Sequence, residues 1–165
     1  MRTGVRLGID VGKARIGVAR SDLHGMLATP VETVKRELES GIDLDRLAAI
    51  ARELEAFEVI VGLPLNLRGE RTLSTEDAQS FAEQLAARLD GVAEVRLVDE
   101  RLSTVSAQGQ LRQAGRKTKE SRGVIDQAAA VVILQHALDV ERNRHEAPGD
   151  LVVPAPDQRR SEDTP

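Results

Sequence analysis

The sequence predicts an α/β domain: an open mixed sheet of five strands, an antiparallel trio continued by two parallel strands, with helices on its faces. Three observations predict it. Val5 to Val11 alternates apolar and polar with a period of two, as half-buried strands do, and two more strand-like runs follow by residue 34. Two short strand-like runs follow, each after a stretch of helical spacing, the pattern of parallel strands joined by crossover helices. Near the end, one long helical segment is apolar on nearly every side, which marks a helix packed into a core.

In order along the chain, Val5, Leu7, Ile9 and Val11 alternate with Arg6, Gly8, Asp10 and Gly12. A turn at Lys13-Ala14 leads into a second strand from Ile16 to Arg20, and Leu27 to Val34 reads as a third, its Pro30 best tolerated at an edge or near a strand start. After Gly41, the positions Leu44, Leu47, Ala48, Ala51 and Leu54 form one apolar helical stripe. Val59-Ile60-Val61-Gly62 is a short, wholly apolar strand of the kind covered on both faces. A loop through Pro64, Asn66 and Gly69 precedes an amphipathic helix over Ser74 to Leu89, Val95 to Val98 is the fifth strand, and Ser103 to Gln113 is a short helix. The polar and basic stretch from Gly115 to Gly123 reads as a mobile loop, and the core helix runs from Val124 to about Arg142. Four of the six prolines fall after His145 among charged residues. The chain is therefore expected to form one domain over 1–144 and a disordered tail over 145–165.

Composition excludes whole classes of function. The 165 residues include no Cys, which removes zinc-thiolate sites, Fe–S clusters and thiol catalysis. No apolar run approaches the roughly 18 residues of a membrane span, and no signal-peptide core follows Met1, so a cytoplasmic location is expected. With 23 basic and 27 acidic residues the net charge is −4, which argues against coating nucleic acid by bulk charge but leaves room for a local basic patch. Phe57 and Phe81 are the only aromatic residues and cannot build a base-stacking platform. His24, His136 and His145 share no metal-ligand spacing.

Three carboxylates stand where chemistry is expected. Asp10 lies between Gly8 and Gly12 on the less apolar face of the first strand, and glycines there clear room for another chain. Asp99-Glu100-Arg101 follows the fifth strand at its carboxyl end, the edge where open α/β sheets place ligands; alternation cannot choose between Asp99 and Glu100. Asp126 opens the apolar helix, whose Ala128, Ala129 and Ala130 allow close approach to the sheet. Each acid alone has an ordinary explanation as a turn, a helix-capping loop or a favourable helix-dipole charge. Together, three carboxylates that repel and resist desolvation imply a hard divalent cation with oxygen ligands. Two such ions clamp the attacking water and leaving oxygen of a phosphodiester, and so the cluster points to a metal-dependent nuclease.

Four stretches in order, LGIDVGKARIGVA, IVGLPLNLRG, LVDERLSTVSA and IDQAAAVVILQ, resemble the YqgF/RuvX family of RNase H-like proteins. The resemblance covers Val5 to about Leu138 and implies an RNase H-like fold, Mg²⁺ or Mn²⁺ as a pair of ions, and either pre-16S rRNA 5′-end processing or Holliday junction resolution. By that resemblance Asp10, Glu100 and Asp126 are the catalytic metal ligands, while Arg15 matches the family's hairpin arginine. Lys13-Ala14 departs from the Thr-Lys pair common at that turn. Arg116, Lys117, Lys119 and Arg122 match the family's basic loop, which makes them expected phosphate contacts beside Arg15. The partner implied is a structured RNA or a branched DNA.

Two readings of other classes compete. Asp10, Gly12 and Gly17 also fit the phosphate hairpin of actin-like and sugar-kinase-like ATPases, but those enclose nucleotide between two domains and this length holds one. A binding module that lost its chemistry is the second, and activation of cleavage by Mn²⁺ or Mg²⁺ separates it from the nuclease. Monomer and homodimer both stay open; symmetric cutting of a junction calls for a two-fold dimer.

Overall fold

The structure is a computed structural model that describes residues 1–103 and 122–156, with only the backbone described at 102–103 and 122–124. Strands β1 (Val5–Val11), β2 (Arg15–Ser21) and β3 (Ala28–Lys35) form an antiparallel meander. Helix α1 (Ile42–Glu53) crosses to β4 (Ala56–Leu63), and α2 (Leu73–Arg88) crosses to β5 (Glu94–Asp99). Both strands are parallel to β1, giving the order β3-β2-β1-β4-β5-β6.

Strand β6 (Asp150–Leu151) corrects the expectation of five strands and of a tail from residue 145. Without it β5 would be an edge strand with unpaired backbone groups. Asp150 and Leu151 pair with Leu97 and Arg96, and the Val152 amide donates to the Val95 carbonyl at 2.8 Å. Val152 drops into the core beside α2, while the Ala155 amide donates to the Glu83 carbonyl at 3.0 Å. One apolar residue in a polar, proline-rich stretch is too faint a pattern to reveal a two-residue strand. Residues 157–165 lie outside the described residues.

A 3₁₀ turn spans Glu100–Ser103, and beyond Ser103 the expected Ser103 to Gln113 helix lies outside the described residues. Helix α3 (Arg122–Arg144) is longer than expected at both ends; its 23 residues reach about 35 Å.

The sheet divides two cores. Leu7, Ile9, Ile16, Val18, Val59 and Val61 face α1 and α2, whereas Ala19, Ile60 and Val98 face α3. Alternation then sends Gly8 and Asp10, Arg15 and Gly17, and Gly62 to the α3 side. The consequence for function is geometric: the ends of β1, β2, β4 and β5 and the start of α3 converge on one corner of the molecule.

Candidate active site

Asp10 is the natural starting point, because its cross-strand partner is Gly17 on β2. A Cβ at Gly17 would fall 1.9 Å from the carbonyl oxygen of Asp126, and a Cβ at Gly8 would fall 2.6 Å from Leu134 Cβ. The two glycines thus remove the side chains that would hold α3 off the sheet. Small residues on the helix complete the contact: Ala130 is fully buried, its carbonyl oxygen 2.9 Å from the Gly8 Cβ position. The first turn of α3 is in this way laid directly over the strand pair that carries Asp10.

Glu100 arrives from the other side. Val98, in β5, packs on the α3 face, and Glu100, two residues on, is carried to the same face as Asp10. Gly62, at the end of β4, makes the room: its Cβ position is 2.7 Å from Ile133 Cδ1 and 3.6 Å from Glu100 Cδ. Asp99 turns away into a fork with Arg101, at 3.1 Å from Nε and 2.6 Å from Nη2, and this pairing holds its carboxyl below the usual range. Between the two acids that sequence alternation left undecided, Glu100 is the one beside Asp10.

The electrostatics of this corner are those of charge brought together and dried. Burial pushes the Asp10 carboxyl up to about 8, with the Glu100 charge, a hydrogen bond shared with Glu100 and the Asp126 charge adding to it. Glu100 is also raised, chiefly by burial, while its bond to Asp10 pulls the other way. A single proton held between the two carboxyls relieves their repulsion. Asp126 is handled differently: Arg15 Nε donates to its Oδ2 at 3.0 Å. Accordingly, among the described residues no three His, Asp or Glu side chains are arranged to hold one metal ion. Asp10 and Glu100 fit a hard divalent cation, since both are carboxylate oxygen donors held side by side. Asp126 fits only once Arg15 has moved.

Two contributors carried little or no sequence signal. Gly62 was legible only as the end of an apolar strand. Arg36, just after β3, donates to the Gly12 carbonyl at 2.8 Å, grips both oxygens of Asp77 on α2 and lies 5.1 Å over the Phe81 ring. It ties the β1–β2 hairpin to α2, and no local pattern marks it. Of the expected phosphate contacts, Arg15 reaches the site; Arg116, Lys117 and Lys119 lie outside the described residues, and only the backbone of Arg122 is described.

The profile of the family described as "RuvX: Holliday junction resolvase" matches residues 4–140. The chain belongs to the RuvX family. Similar proteins extend the match across nearly the whole chain. A protein of Clavibacter michiganensis named "Putative pre-16S rRNA nuclease" is 57% identical over 152 residues, 92% of this chain and 93% of its own. One of the same name from Mycobacterium bovis is 62% identical over 136 residues, 82% of this chain and 79% of its own. Among solved structures, Thermus thermophilus RuvC in complex with a Holliday junction substrate superposes with a TM-score of 0.54 at 17% identity, covering 90% of this chain and 99% of that one. That likeness establishes the RNase H-like fold for this RuvX-family chain.

Proposed function

We propose that this protein is a divalent-cation-dependent nuclease that hydrolyses phosphodiester bonds, acting in 5′-end processing of pre-16S rRNA. The observation that carries the reading is the half-buried Asp10–Glu100 pair at the strand ends, hydrogen-bonded to each other beside Asp126 and Arg15. Carboxyls brought together and partly desolvated are costly to keep, and their retention points to a cation taken up for chemistry. The RNA substrate rests on the name carried by relatives 53–62% identical to this chain. Four-way DNA junctions are the second reading, supported by the family description.

In this reading Asp10, Glu100 and Asp126 hold Mg²⁺ or Mn²⁺. When bound, the cation supplies Lewis acidity and neutralises charge on the phosphate. Asp10 and Glu100 first release the proton they share, so loading is favoured as pH rises. Arg15 orients a phosphate oxygen from the hairpin. Helix α3, seated on Gly8 and Gly17, covers one side of Asp10 and limits the access of bulk water. Arg116, Lys117, Lys119 and Arg122 add phosphate contacts along the nucleic acid.

The test is cleavage of precursor 16S rRNA, a linear single strand and a synthetic four-way junction, each with Mn²⁺, with Mg²⁺ and with EDTA. Cation-dependent cutting of the precursor near the mature 5′ end is expected. Cutting confined to the junction would transfer the assignment to DNA, and cleavage of nothing under any condition would leave a binding module.

A further inference from the structure

Asp126 is paired with Arg15, which sits on the hairpin that carries Asp10. We propose that Arg15 is a built-in competitor for the cation at Asp126: its guanidinium closes the third carboxylate in the free protein, and a nucleic-acid phosphate opens it by drawing the guanidinium away. The proposal rests on the cation-dependent nuclease reading and adds an order of assembly to it.

Geometry makes the exchange feasible. Arg15 and Gly17 share a face of β2, and Gly17 is where the Asp126 backbone seats, so helix and guanidinium meet as a direct result of how the sheet and α3 pack. The side chains of Arg15 and Asp126 are 38% and 26% exposed, so a substrate can reach both. Arg15 engages Asp126 through Nε at 3.0 Å; among the described residues no partner is assigned to its Nη1 or Nη2. A phosphate offers two oxygens to that open fork and forms the stronger, two-pronged bond. Once Arg15 turns to phosphate, the Asp126 carboxylate faces the Asp10–Glu100 pair uncompensated, a state that a divalent cation resolves. Linkage makes the effect mutual: nucleic acid tightens cation binding by the factor by which the cation tightens nucleic acid. A partly exposed ion pair has a strength that corresponds to about two- to fivefold in an equilibrium.

Four proteins test this: wild type, Arg15→Gln, Asp126→Asn and the double variant, each checked for native fold by circular dichroism. If Arg15→Gln unfolds, Arg15→Met takes its place and keeps the aliphatic stem. Titrated with Mn²⁺ alone, Arg15→Gln should bind about two- to fivefold more tightly than wild type, and the gain should vanish in the Asp126→Asn background. With a short RNA oligonucleotide in EDTA, where cleavage and cation are both absent, Asp126→Asn should tighten binding by freeing Arg15. That gain should shrink in the Arg15→Gln background. A wild type that binds Mn²⁺ with an Arg15→Gln variant that binds it equally or less tightly overturns the proposal, as does additivity in either cycle. Absence of Mn²⁺ binding in all four proteins overturns the nuclease reading itself, a result distinct from the others.

Discussion

At the scale of single residues, the Asp10 carboxyl makes the strongest prediction. Its raised value, about 8, lies above the ordinary carboxylate value near 4 that it has in the unfolded chain. Between those limits the folded protein binds more protons than the unfolded one, so the metal-free protein should lose stability as pH rises from about 4 to 8. Asp10→Asn removes the titrating group and should flatten that slope, leaving the variant more stable than wild type at pH 8 in urea unfolding, while nearly abolishing cation-dependent cleavage. A variant with an unchanged pH slope would show that Asp10 does not hold the proton. The neighbouring choice is equally testable. Glu100→Gln should eliminate turnover at saturating Mn²⁺, whereas Asp99→Asn should retain most of it, because Asp99 is spent on Arg101. A loss confined to Asp99→Asn would place the fifth-strand ligand one residue earlier. Sequence alternation could not make this choice, since the outcome depends on which face of β5 meets α3, a property of packing rather than of the strand itself.

At the scale of elements, the seating of α3 on the sheet decides whether a site exists. Gly17→Ala puts a methyl group 1.9 Å from the Asp126 carbonyl oxygen, backbone that cannot swing aside, so the first turn of α3 must lift. We expect a loss of about 1–3 kcal/mol, read by thermal unfolding, together with a marked fall in cleavage. Gly91→Ala is the control: it has open space around it but a φ of +80°, so it should cost about 1 kcal/mol through backbone strain alone and leave turnover intact. Equal effects of the two changes on turnover would show that the helix does not position Asp126. The close approach was legible in outline, since Gly8 and Gly17 fall on one face by alternation and Ala128 to Ala130 lie on the helix. Gly62 was not, because a glycine that ends an apolar strand also reads as a simple stop.

At the scale of the whole molecule, α3 spans two unlike charge centres. At its far end Glu141, 3% exposed, accepts from Arg2 Nε and from Arg6 Nη2, both at 2.6 Å, while buried Glu58 faces Arg2 at 2.8 Å and Arg96 at 3.2 Å. Removing one member of such a network leaves buried charge uncompensated, so Glu141→Ala should cost about 3–5 kcal/mol in chemical denaturation. A cost under 1 kcal/mol would mean that the network adds nothing to the anchoring of α3. Charge also sets how substrate is gripped: replacing Arg116, Lys117, Lys119 and Arg122 by Ala should flatten the dependence of log affinity on log[salt] by about 0.7–0.9 per lost contact, with single-turnover cleavage little changed. An unchanged salt slope would remove that segment from the interface. The sequence made the strands and helices legible because hydrophobic period reports them directly, and the antiparallel trio and parallel pair followed from the connections between them. The buried network and β6 were hidden, since Arg6, Glu58 and Glu141 read as ordinary surface charges until the fold brings residues 135 apart in sequence into contact.

The Arg15–Asp126 pair joins residues 111 apart, and this has a consequence in time. Loop closure over such lengths comes late and slowly in folding. During synthesis, β1 to β5 leave the ribosome with Asp10 and Glu100 already in the chain, yet the corner lacks its roof until α3 follows. Arg15 and Asp126 can meet only once α3 has followed the sheet, so in the proposed reading a growing chain lacks a complete centre until its last helix is made.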